Sequence, residues 1–187
     1  METLTKSSDT TKKTTATKWV LEPTHSEVLF KAKHLMITNV TGNFKTFNAT
    51  VESEDESFNN AKISFSAETA SVNTNNDQRD GHLKGADFFD SEKYPSIKFE
   101  ADNYNAASGK VTGNLTIKDI TKPVTLDVEF AGTNKDPWGN LKAGFSLSGK
   151  INRKDWGLSW NAPLEQGGLL VSEEVKINAE VQFIKQA

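Results

Sequence analysis

The stretch Val175-Lys176-Ile177-Asn178-Ala179-Glu180-Val181-Gln182-Phe183 places an apolar residue at every second position and a polar one between. Side chains of a β-strand alternate between two faces, so this stretch reads as a strand with one face buried and the other in water. Working outward from it, the same period recurs in Phe145, Leu147 and Ile151, in Val124, Leu126, Val128 and Phe130, and in Val111, Leu115 and Ile117. It recurs again in Ile97, Phe99 and Ala101, in Ile63, Phe65 and Ala67, and in Val28, Phe30 and Ala32. With a further strand near residues 44–51, the count is about eight. Turn-forming residues separate the runs: Asn59-Asn60, Ser108-Gly109, Lys135-Asp136-Pro137-Trp138-Gly139 and Gln166-Gly167-Gly168. Eight strands with one apolar face each can close into a barrel, which removes the sheet edges that would otherwise aggregate. The expected fold is therefore all-β, an antiparallel eight-stranded barrel.

Two segments break the period. His34-Leu35-Met36-Ile37-Thr38-Asn39-Val40 is apolar without alternation, and residues 76–90 place Leu83 and Phe88 about a helical turn apart among charges. These read as one or two short helices or structured loops covering a barrel end. Residues 1–18 are rich in Thr, Ser and Lys with almost nothing to bury, and read as a flexible polar tail ahead of a barrel domain at 19–187.

Composition narrows the function classes. A chain of 187 residues fits one domain, and its 35% apolar content is concentrated in the alternating runs. The formal net charge is −3, with Lys and Arg scattered singly, which argues against a nucleic-acid partner. The absence of cysteine excludes disulfides, thiolate nucleophiles and sulfur-ligated metals. No apolar run approaches the roughly 20 residues of a membrane helix, so stable membrane insertion is not expected. The N-terminus as written lacks the apolar segment of an export signal, which reads as a cytoplasmic protein; a periplasmic protein whose signal has been removed is the alternative.

The order of short motifs resembles the YceI-like family, the polyisoprenoid-binding proteins. The likeness begins at Trp19-Val20-Leu21 with His25-Ser26-Glu27-Val28 and runs through Val40-Thr41-Gly42-Asn43-Phe44. It continues with Arg79-Asp80-Gly81-His82-Leu83, Asp87-Phe88-Phe89-Asp90, Tyr94-Pro95, Ile97-Lys98-Phe99 and Gly113-Asn114-Leu115-Thr116-Ile117. It closes with Thr121-Lys122-Pro123-Val124, Asn152-Arg153-Lys154-Asp155-Trp156-Gly157-Leu158 and Val171-Ser172-Glu173-Glu174-Val175. Asp119 stands where the family pattern has Gly, which points to an altered local turn. The resemblance implies a lipocalin-like barrel whose interior holds a polyprenyl chain, a quinone tail or a fatty-acyl amphiphile, with no other cofactor. The expected partner is such a lipid, and a homodimer is left open.

The alternating faces alone fit two cases, a barrel filled by its own side chains and one holding a guest. Given the resemblance, Phe30, Phe65, Phe99, Leu126 and Phe145 are candidate lining residues, and Leu35, Arg79, His82, Leu83 and Phe88 are candidates for the mouth. The expected role is non-catalytic binding, storage or transport of a long-chain lipid. Two alternatives stand beside it: an enzyme acting on such a lipid through Asp80 and His82, and a structural or stress-response barrel without ligand. Asp and His within hydrogen-bond reach would make an acid/base pair, but a helix cap and ion pair that fix the irregular segment suit Arg79, Asp80 and His82 better. His25 and His34 lack the close ligand spacing of a zinc site and read as structural, so no metal is expected. Trp156 and Trp160 read as rim or core aromatics, with core favoured.

Overall fold

Every alternating run of the sequence is a strand in the computed structural model, which describes residues 15–187. In chain order the elements are β1 (Thr17–Leu21), β2 (Glu27–His34), β3 (Thr38–Phe44), β4 (Phe47–Ser53), β5 (Lys62–Glu68), β6 (Val72–Asn73) and helix α1 (Asp77–Lys84). Then follow β7 (Ser96–Ala101), β8 (Lys110–Ile117), β9 (Ile120–Lys135), β10 (Leu141–Asn152) and β11 (Val171–Lys185). Of the tail expected over residues 1–18, residues 1–14 lie outside the described residues, whereas Thr17 and Lys18 open β1 opposite Ser53 and Glu52.

All pairings are antiparallel, and the order β1-β4-β5-β7-β8-β9-β10-β11 closes on itself because β11 also pairs with β1, from Trp19↔Lys185 to Leu21↔Phe183. The ring therefore has eight members. The remaining strands lengthen it: β2 takes the other half of β11, from Glu180↔Glu27 to Val171↔His34, β3 pairs with β2, and β6 joins β3 at Asn43↔Asn73 and Phe44↔Val72. A 3-10 turn at Pro23–His25 divides β1 from β2, since proline supplies no amide to a ladder. Ser26 repairs the gap: its hydroxyl donates to the Glu22 carbonyl at 2.7 Å and accepts the Gln182 amide at 2.9 Å. With 15 residues, β11 spans roughly 50 Å, long enough to carry both halves of the wall.

One end is sealed by aromatics. The loop between β4 and β5 turns inward at Phe58, which is 1% exposed and lies 5.0 Å from Trp19, 5.1 Å from Phe145 and 5.4 Å from Phe130, centroid to centroid. Phe58 takes a left-handed φ of 58°, a strain its packing must outweigh. Tyr104, also buried, lies beside it below the barrel interior.

At the other end the expectations need correction. The 34–40 segment is no helix or covering loop but the tip of the β2–β3 hairpin, with Ile37 N–H donating to the His34 carbonyl at 3.1 Å. Leu35 and Met36 hold φ of 53° and 60°, the primed-turn geometry that hairpins favour and that ordinarily selects Asn and Gly. Because neither residue advertises that geometry, the turn was not readable. The β8–β9 hairpin turns through Lys118 and Asp119, and the left-handed residue is Lys118, with φ of 57°. Position 119 has no positive φ that would require glycine.

Candidate binding cavity

Inward-facing side chains of β2, β3, β4, β5, β7, β8, β9, β10 and β11 surround an apolar cavity of about 280 Å³. Phe30, Phe65, Phe99, Leu126 and Phe145, the five residues expected on the lining, all border it. Several of its wall residues, including Val28, Phe30, Ile63, Phe65, Val175 and Ile177, are only half-buried although they point into the barrel. Their free surface is cavity wall, so the barrel is not filled by its own side chains.

Two glycines keep the lumen open. Phe30 and Gly42 are direct cross-strand partners, and a methyl at 42 would overlap the Phe30 ring, which lies flat against the neighbouring strand. Phe99 lies across Gly113 in the same way. Rings laid over glycine add hydrocarbon to the wall without projecting into the space it encloses.

The floor is Phe58 and Tyr104, and burial pushes the Tyr104 hydroxyl above the usual tyrosine range. Toward the opposite end the cavity adjoins a groove of about 410 Å³, the two sharing Phe30, Ala32, Leu83, Phe88 and Val171. This groove is the mouth, and here the lining becomes polar: Lys33, His34, Asn76, Gln78, Arg79 and His82 stand around Leu83, Phe88 and Trp160.

Helix α1 borders the mouth. Asn76 caps it by accepting the Arg79 amide at 2.9 Å, and Asp80, buried at 6% exposure, accepts both the amide (2.8 Å) and the hydroxyl (2.6 Å) of Thr74. Arg79 clasps the same residue from outside, donating Nε to Thr74 Oγ1 at 2.7 Å and Nη2 to the Thr74 carbonyl at 2.9 Å. Both side chains thus converge on Thr74 and tie the helix to the segment after β6. Arg79, Asp80 and His82 hold the segment in place without pairing with one another: His82 Nε2 lies 2.9 Å from Asp87 Oδ2, and its ring packs on Phe88 and Trp160. Asp80 and His82 are therefore no acid/base pair. Leu35 lies outside the cavity and groove linings, 37% exposed at the hairpin tip, its amide donating to the Leu170 carbonyl at 2.8 Å.

Arg153 was not foreseen at this end, and for Trp160 the less favoured of the two sequence readings, the rim, is the one observed. Arg153, 3% exposed, borders the cavity and donates Nε to the Ser172 carbonyl at 2.9 Å and Nη1 to the Trp160 carbonyl at 2.9 Å and to that of Leu158. Burial lowers its pKa from the usual arginine value, and these carbonyls stand in for water around a guanidinium that remains charged. The result pins the chain between β10 and β11 over the barrel end. Of the two tryptophans, Trp156 is core, its indole donating to the Leu115 carbonyl at 3.0 Å, while Trp160 is half-buried on the groove. A period of two signals neither a buried charge nor a rim aromatic, because both lie beyond the strands.

Comparison with known proteins agrees with this geometry. The family model described as a YceI-like domain matches residues 19–183. A UPF0312 protein of Staphylococcus aureus (strain bovine RF122 / ET3-1) is 39% identical over 168 residues, 89% of this chain and 97% of its own length. Among solved structures, the YCEI protein of Campylobacter jejuni is 36% identical with a TM-score of 0.70, covering 83% of this chain and 90% of that one. Burkholderia cenocepacia BcnA shares the fold at 23% identity and a TM-score of 0.72, over 87% and 98% of the two chains. A polyisoprenoid binding domain from Saccharophagus degradans does so at 15% identity and a TM-score of 0.63, over 90% and 98%. The chain, a closed eight-stranded antiparallel barrel around an apolar cavity, belongs to the YceI-like family.

Proposed function

We propose that the barrel is a non-catalytic carrier or store for an amphiphile with one slender hydrocarbon tail, of isoprenoid or fatty-acyl type, its polar head held in the groove beside α1. The observation that carries this reading is the cavity itself: walls of hydrocarbon, a sealed aromatic floor, and a mouth where Arg79, Lys33 and two histidines meet Leu83 and Phe88. Such a wall can bind CH₂ or isoprene units without polar contacts, and each CH₂ taken from water contributes about 0.8 kcal/mol. A related barrel in Saccharophagus degradans is described as polyisoprenoid binding, which supports the same class of guest here. The separation of Asp80 from His82 supports binding over catalysis.

A chain-length series tests the reading. n-Alkanols and linear polyprenols displacing an apolar fluorophore should gain affinity about fourfold per added CH₂ until the tail reaches the Phe58–Tyr104 floor, then level off. Affinity that ignores chain length, or that falls from the shortest member onward, would remove the tail-binding reading.

A further inference from the structure

Among the described residues, most large apolar side chains left in water lie beside the mouth. Leu35, Met36 and Ile37 form the β2–β3 tip, with Ile37 78% exposed, and Leu169 stands next to the Leu170 carbonyl that receives the Leu35 amide. The tip is costly in its own right, since Leu35 and Met36 occupy left-handed φ values suited to Asn and Gly. A hairpin built only to turn in water would carry polar residues there. This one holds hydrocarbon outward at the rim of the opening.

Among the described residues, the charged side chains that line the groove are of one sign. The groove lining includes Lys33, Arg79, His34 and His82 but no carboxylate, in a chain whose net charge is −3. Of the acids in the bordering segments, Asp80 is buried against Thr74, Asp87 is engaged with His82, and Glu173 and Glu174 pair with Lys154 and Lys150, while Asp90 is half-buried and Asp77, Glu92, Asp155 and Glu165 are exposed outside the groove lining. An apolar tip flanked by cations at a hydrophobic opening matches the interface of an anionic bilayer, where acyl chains lie just beneath phosphates. At the other end Trp138 is exposed in a turn organised by Asp136, and Phe130, partly exposed, packs its ring on Phe58 and Phe145.

We propose that the β2–β3 tip inserts Met36 and Ile37 into the surface of an anionic phospholipid bilayer, seating the mouth on the membrane so that a lipid tail passes between bilayer and cavity without crossing water. The purpose rests on the amphiphile-binding reading; the docking itself does not need a bound ligand. Because the chain has no cysteine, Ile37→Cys carries one environment-sensitive fluorophore, and Trp138→Cys carries the same label at the far end. The protein is mixed with phosphatidylcholine vesicles, either pure or containing about one third phosphatidylglycerol, a composition that recruits basic residues at low salt and releases them at high salt.

The label at position 37 should brighten and shift to the blue with the anionic vesicles and not with the neutral ones, while the label at 138 stays unchanged. The double substitution Met36→Asp and Ile37→Asp should lower the vesicle-bound fraction at least about tenfold, with melting temperature and binding of a soluble apolar fluorophore unaltered. An unresponsive label at 37, equal responses at both ends, or equal docking on neutral vesicles would overturn the inference. So would a blue shift that grows with protein concentration without vesicles, which would assign the tip to a second copy of the chain. Loss of docking with intact fluorophore binding defeats this inference alone; loss of fluorophore binding in the unsubstituted protein defeats the function proposed above.

Discussion

Gly42 shows how one residue sets the capacity of the barrel. Its missing Cβ is the space into which the Phe30 ring folds, so Gly42→Ala should push that ring into the lumen. Overpacking of this kind costs about 1–3 kcal/mol of stability, and tail affinity should fall with it. Adding Phe30→Ala should recover most of the affinity lost in Gly42→Ala, because the two residues contend for one volume. A double-mutant cycle in denaturation and ligand titration measures the coupling; additive effects would show that the ring and the glycine do not contend.

At the scale of elements, α1 and the strand ends are held by different devices. The α1 latch is a small polar knot around Thr74, and Arg79 is its outer half. Arg79→Ala should therefore speed ligand release in stopped-flow exchange and leave the global melting transition nearly unchanged, since Asp80 still binds Thr74 and the barrel ladders are untouched. Loss of the barrel transition in this variant would mean that the helix is part of the cooperative core.

Glu22, at the end of β1, accepts a hydrogen bond from Lys142 of β10 at 2.8 Å, and Lys142 lies 3.6 Å from Asp136 of the β9–β10 turn. The Lys142 hydrogen bond holds the Glu22 carboxyl below its ordinary value near 4.5. A carboxyl that binds protons more weakly when folded stabilises fully above its unfolded pKa and loses that contribution as pH falls through the folded one. Between about pH 5 and pH 3, Glu22→Gln should lose less stability than the unsubstituted protein in denaturant titrations. Parallel acid limbs would show that the contact contributes nothing.

Legibility followed period. Strands β5, β7, β8 and β11 stand where Ile63, Ile97, Val111 and Val175 begin their alternation, because a one-residue slip would turn an entire apolar face into water. The closing contact of β1 with β11 was less visible, since Trp19 and Leu21 are too few to show a period. The β2–β3 tip was misread because its positive φ values fall on Leu35 and Met36. The lining residues could be read as inward from alternation, but the space between them depends on Gly42 and Gly113, whose role appears only when Phe30 and Phe99 are placed against them. Asp80 and His82 are neighbours in sequence and yet have separate partners, Thr74 and Asp87.

At the scale of the molecule, the barrel is sealed at Phe58 and lined by polar groups beside α1, so the proposed guest would enter from that side, tail first, with its head left among Arg79, His82 and Trp160. The direct measurement is native mass spectrometry of protein purified without detergent, followed by solvent extraction of whatever accompanies it. The expected result is a one-to-one mass increment that extracts as a single-tailed amphiphile and is absent from Phe99→Asp, a variant in which a carboxylate faces the hydrocarbon wall. A protein that stays ligand-free after incubation with excess single-tailed lipids, or a Phe99→Asp variant that folds and carries the same increment, would contradict a tail held in the barrel interior.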